Sequence, residues 1–239
     1  MRKVKPQDVR DAFCEQVDSS LDHYQRVLTA LRGTGSEKLD ISLQSRTLIH
    51  SVFVDFECFI SDLFISYLNR SFHTYQNAFE TSVRSSAAQK HSLWMSGRIT
   101  FNRPPHMSLT DLEQAIDPDG WNLTFKSCAV MKEKAAAWLD PQHANRIVHM
   151  QGEDERLVDT MRGVRNWIAH QSIGAGKRMN DLLANIEQGP GTPNHELGRG
   201  VRKVTNIGAF LKSKIGAERR VEVYCRRLKD VAANITLPL

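Results

Sequence analysis

Met161-Arg162-Gly163-Val164-Arg165-Asn166-Trp167-Ile168-Ala169-His170 is the stretch on which the reading of this chain turns. Leu157, Met161, Val164 and Ile168 recur at steps of four, three and four, the spacing of one apolar stripe on a helix. Asp159, Gly163, Asn166 and His170 follow the same steps on a second stripe. Two positions turn about 200° on an ideal helix, so the second stripe is expected to face away from the first. A helix over residues 154–171 would pack through its apolar side and present Asn166 and His170 outward.

The flanking segments predict an all-α fold. Residues 43–72 are apolar nearly all round, but Asp55, Glu57 and Asp62 interrupt them. Charges are costly at the centre of a bilayer, so a long core helix is expected there and not a membrane span. Residues 7–32 keep Val9, Phe13, Val17, Leu21, Tyr24 and Leu28 at helical steps, and Gly33 and Gly35 end the run. Residues 73–150 read as an inserted region of mixed helix and loop. It holds a helix over 75–93, an irregular stretch around Pro104 and Pro105, and a capping box at Ser108 and Asp111. A turn at Asp117-Pro118-Asp119-Gly120, a helix over 125–139 and a helix opened by Asp140-Pro141 follow. Beyond the motif, a short helix is expected over 178–187 and a Gly/Pro-rich loop over 189–200. Helices over 201–211 and 221–235 come last, although Val221-Glu222-Val223-Tyr224 could also be β-like. These segments make one all-α domain over 1–239, with core helices over 7–72 and 154–188, an insertion over 73–150 and a C-terminal helical extension over 199–235.

With 41% hydrophobic and 25% charged residues the chain suits a globular protein of 239 residues. Cys14, Cys58, Cys128 and Cys225 lie far apart with no Cys-x-x-Cys pair, which favours reduced thiols over a disulfide frame or zinc site. Asp8, Arg10 and Asp11 follow the charged N-terminus where a secretory leader would be apolar, so a cytoplasmic location is expected. Between Arg199 and Lys229 ten cations face only Glu218 and Glu222, against a net charge of +5 for the whole chain. Arg202, Lys203, Arg219, Arg220, Arg226 and Arg227, with Arg162 on the motif helix, are the candidates to hold a polyanionic RNA backbone. Other motifs fail. Gly174-Ala175-Gly176-Lys177 lacks the upstream Gly and following Ser/Thr of a phosphate loop, and His143 and His149 lack zinc-ligand spacing. No metal and no cofactor is expected.

Twenty arginines and nine histidines make an Arg-x4-His match by chance nearly expected, so the spacing alone carries nothing. The asparagine after Arg165 and the Ile168-Ala169 pair before His170 supply the specificity. With these residues the chain resembles the HEPN superfamily, closest to its branches with Arg-Asn-x-Ile-Ala-His, such as the RiboL-PSP type and abortive-infection relatives. Arg84-x6-His91 also fits the loose spacing but lacks the asparagine.

The resemblance implies a HEPN-like helical bundle and metal-independent RNA cleavage, in which the 2′-hydroxyl attacks the adjacent phosphodiester. His170 would move protons, Arg165 would bind phosphate through its planar fork, and Asn166 would orient the imidazole or touch phosphate. Asp159 and Glu57 are candidate supporting acids, whereas Glu153, Asp154 and Glu155 read as solvated charge at a helix start. Arg165 and His170 are about 140° apart on an ideal helix, which together with the family habit predicts a homodimer sharing its site across the interface. The resemblance also implies a toxin or antiphage-defence role with a partner protein such as an antitoxin, and no membrane. The alternative is a catalytically inactive HEPN module that binds RNA or a partner. Ser172 stands two residues after His170, where nucleotidyltransferase-paired toxins of the family carry tyrosine, which weakens that subclass.

Overall fold

The computed structural model describes residues 4–103, 107–185 and 203–236. They form an all-α fold. In chain order the helices are α1 (Pro6–Leu31), α2 (Glu37–Arg70), α3 (His73–Lys90), α4 (Leu93–Ser96), α5 (Leu109–Ile116), α6 (Cys128–Trp138) and α7 (Pro141–Val148). Then follow α8 (Gly152–His170), α9 (Ile173–Asn185), α10 (Ile207–Lys212), the strands β1 (Lys214–Ile215) and β2 (Glu218–Arg219), and α11 (Arg220–Ile235). None of the described helices is long and apolar enough to cross a membrane.

Several boundaries differ from the sequence expectation, each for a local reason. α2 starts six residues before the apolar run, because the Ser36 carbonyl accepts from Asp40 N and Glu37 and Asp40 favour the positive helix start. α6 starts at Cys128, where the Ser127 hydroxyl accepts from Val130 N. α9 starts at Ile173 and takes in Gly174 and Gly176, the glycines expected to stand before a helix over 178–187. Ser172 opens it, its hydroxyl accepting from Ala175 N and its carbonyl from Gly176 N. Likewise the helix expected over 201–211 begins only at Ile207, capped by Asn206. The antiparallel pair β1–β2, turning at Gly216 with φ of 62°, was not anticipated. Helix α11 begins directly after it, so Val221 to Tyr224 are helical and not β-like.

Among the described residues the chain divides into two compact units, one of 4–9, 60–149 and 236, the other of 10–59, 150–185 and 203–235. The division falls within α2, between Phe59 and Ile60. In the first unit α3 packs on α4 and α6, and α6 on α7. Phe64 meets Phe125 at 5.0 Å, and Tyr67 stacks on His143 at 4.8 Å.

The second unit carries the motif helix. Phe13 of α1 stacks on Phe59 at 5.0 Å and meets Phe56 edge-on at 5.7 Å, while Tyr24 is hydrogen-bonded to Ser45 at 2.7 Å. Later residues of α1 thus meet earlier residues of α2, so the two run antiparallel. α9 and α11 both pack on α8, and α10 packs on α11. The core is built from fully buried Val17, Ile49, Val52, Phe53, Leu157 and Val164, together with Leu183, Tyr224 and Leu228.

Candidate functional site

Helix α8 delivers the motif in graded burial. Leu157, Met161 and Val164 are fully buried, Ile168 is half-buried, and Ala169 and His170 are exposed. The second stripe does not face solvent throughout as expected. Gly163 is buried, and a Cβ there would stand 2.7 Å from the Leu182 side chain of α9. Two neighbouring helices cover α8 on different sides, so a single dry face is replaced by burial nearly all round its middle. Its C-terminal end opens to solvent, as do Gly152 and Arg156 near its start. It closes at Gln171, whose φ of 48° is the left-handed geometry that ends a helix, and Gln171 N donates to the Trp167 carbonyl.

Arg165 is part-exposed at this end, with one hydrogen-bond acceptor and one carboxylate beside its fork. Nη1 donates to Asn166 Oδ1 at 3.1 Å, and Nη2 lies 3.5 Å from Glu57 Oε2 of α2. Arg162, one turn earlier, lies 5.9 Å over the Phe53 ring, one turn before Glu57 on α2. The two helices therefore meet through matched pairs: an aromatic ring under one arginine, a carboxylate beside the next. Trp167 lies between Asn166 and His170. Its ring packs against Gly176, where a Cβ would come within 3.0 Å of it, and it lines a cavity of about 660 Å³ with Met179, Asn180 and Val204.

The candidate acids separate. Glu57 meets Arg165, as given above. Asp159 is not beside His170 within the chain; it accepts from Arg162 at 2.6 Å and lies eleven residues, roughly 16 Å of helix, before the imidazole. Asp154, expected as solvated charge, is instead 3% exposed. Its carboxylate accepts from Arg227 at 3.3 Å and Asn234 at 3.1 Å, joining the start of α8 to α11. The sequence signal was hidden, because those partners lie 73 and 80 residues further on. Asp55, on α2, has a buried oxygen without a hydrogen-bond partner, and burial raises its carboxyl pKa.

Most of the basic candidates have partners within the chain. Arg162 is held by Asp159, and Arg227 by Asp154. Arg226 pairs with Glu218, Lys229 with Asp18, and Arg219 donates to the Lys212 carbonyl at 3.0 Å. Arg220 is buried with its guanidinium 4.4 Å over the Phe210 ring. Lys203 is exposed, and Arg202 lies outside the described residues. A count of charges over 199–229 could not foresee the partners of Arg227 and Lys229, since those carboxylates come from α8 and α1. Among the described residues no three His, Cys, Asp or Glu side chains cluster as metal ligands would. Arg84 of the looser motif donates to the Ser96 carbonyl and lies over Phe101, apart from any histidine contact the described residues record.

No family model, no curated protein and no solved structure matches this chain.

Proposed function

We propose that this chain is a metal-independent, cytoplasmic endoribonuclease of HEPN type, with Arg165, Asn166 and His170 as its catalytic residues. The observation that carries the reading is the C-terminal end of α8, where an exposed histidine follows a part-exposed arginine whose fork is fixed by Asn166 and Glu57. Such a fork is oriented without being buried, which suits bidentate contact with a phosphodiester. In the reaction the RNA 2′-oxygen bonds to phosphorus, and the bond to the 5′-oxygen breaks. A 2′,3′-cyclic phosphate and a 5′-hydroxyl result. Histidine removes the 2′ proton or supplies one to the leaving oxygen, while arginine stabilises the charge gathered on the phosphoryl oxygens.

Arg165 and His170 are separated by about 140° and roughly 7.5 Å along the helix, so one copy presents them in different directions. A homodimer brings the arginine of one copy to the histidine of the other. A role in phage defence or as a toxin with a partner protein rests on the motif resemblance alone.

The intrachain Arg165–Glu57 pair favours a second reading, a non-catalytic module binding RNA or a partner protein, in which that arginine is structural. Incubation of RNA in EDTA with the wild type, Arg165→Ala and His170→Ala separates the two. Cleavage by the wild type and its loss in both variants supports the enzyme. Undiminished cleavage in either variant overturns the site, and an inert wild type leaves the binding module.

A further inference from the structure

Thirty residues separate Glu80 from Asp111 without a single carboxylate, yet they hold Arg84, Lys90, Arg98 and Arg103. Its described residues up to Arg103 are the tail of α3, the four-residue α4 and the segment after it, all in the first unit. Aromatic and apolar side chains stand open here: Leu93 is 82% exposed, Trp94 64% and Phe79 53%. The cations are set against the rings. The Arg98 guanidinium lies 4.0 Å over the Trp94 indole, and that of Arg84 lies 5.3 Å over Phe101, which itself meets Phe79 edge-on. A hydrogen bond from Arg84 to the Ser96 carbonyl at 3.1 Å ties α3 to the end of α4. Glu80, at the edge of the patch, is occupied by both nitrogens of the Arg103 fork, at 2.9 and 2.6 Å.

We propose that this surface binds single-stranded RNA, with bases stacking on Trp94 and its Arg98 partner and phosphates meeting Arg84, Arg98 and Lys90. Charge complementarity selects a polyanion, because the stretch is wholly cationic. Open planar groups favour unpaired bases over a duplex, whose bases are already stacked on one another. An anionic membrane fits less well, since an interfacial anchor needs a continuous amphipathic helix and α4 has four residues. The proposal shares the substrate class of the ribonuclease reading but not its chemistry. It also assigns backbone binding to residues other than the C-terminal cations, most of which are engaged within the chain.

The test is fluorescence anisotropy with a labelled oligouridylate and the full chain carrying His170→Ala, so that binding is read without cleavage. Trp94→Ala should weaken binding roughly ten-fold or more, Trp94→Phe should keep most of it, and Arg98→Gln should flatten the salt slope by about 0.7. Arg226→Gln serves as the control and should change little. Circular dichroism of each variant excludes unfolding, α4 being exposed. Affinity unchanged in Trp94→Ala and Arg98→Gln, equal binding of a duplex, or binding of phosphatidylserine vesicles without binding of the oligonucleotide would each overturn the proposal. A protein that binds in this manner but cleaves nothing leaves the proposal standing and removes only the nuclease reading.

Discussion

Arg165 of α8 and Glu57 of α2 form an ion pair at 3.5 Å, with the two side chains 28% and 19% exposed. A part-exposed pair of this kind contributes about 0.2–1 kcal/mol to stability, so its removal does little to the fold. Its weight lies in orientation, because Asn166 fixes one arm of the guanidinium and Glu57 the other.

Glu57→Gln should therefore lower the melting temperature only slightly; on the proposed ribonuclease reading it should slow RNA cleavage by roughly a hundred-fold, as for a catalytic group displaced by about 1 Å. Arg165→Ala should cost about 10²–10³ in rate, and Arg165→Lys should not restore it, since a point charge lacks the fork. Thermal melts beside single-turnover cleavage check this. Faster cleavage in Glu57→Gln would mean that Glu57 holds the arginine away from substrate.

Asp154 ties α8 to α11 through two hydrogen bonds. Asp154→Ala removes an acceptor of Arg227 and of Asn234, and hydrogen bonds to a charged group contribute about 1.5–3 kcal/mol. A loss in that range is expected in urea unfolding. Asp154→Glu, too long for the same space, should recover only part of it.

Two buried glycines should respond unequally to alanine. At Gly208 the new Cβ would stand 2.8 Å from the Ser42 backbone oxygen, which cannot turn aside. A destabilisation of about 1–3 kcal/mol is expected. At Gly163 the obstacle is the end of the Leu182 side chain, which can rotate, and alanine gains up to about 1 kcal/mol of helix preference over glycine. Chemical denaturation should rank Gly208→Ala well below Gly163→Ala.

His143 supplies a pH dependence in the first unit. Burial lowers its pKa from the usual 6.5, and its Nδ1 is buried without a hydrogen-bond partner beneath the Tyr67 stack. The folded state thus favours the neutral ring. Its contribution to stability is full above pH 6.5 and fades as pH falls through the lower folded value. Melting temperatures recorded from pH 8 to 5 should fall towards acid, and His143→Phe should flatten that fall. Parallel curves for the two proteins would exclude the histidine as the cause.

Local patterns in the sequence determined much. The 3.6-residue spacing of Leu157, Met161 and Val164 marked α8, the capping residues Ser108 and Asp140 marked their helices, and Gly33 closed α1. Each is decided within one or two turns of chain, so each is legible there. The motif residues, too, could be named from their order alone. What they touch could not. The burial of Gly163 depended on α9 and that of Asp154 on α11, Arg165 found Glu57 more than a hundred residues earlier, and distant carboxylates occupied the C-terminal cations. A sequence states how many charges a segment carries, but pairing depends on which helices meet. Only tertiary structure left the end of α8 open and placed Arg98 over Trp94.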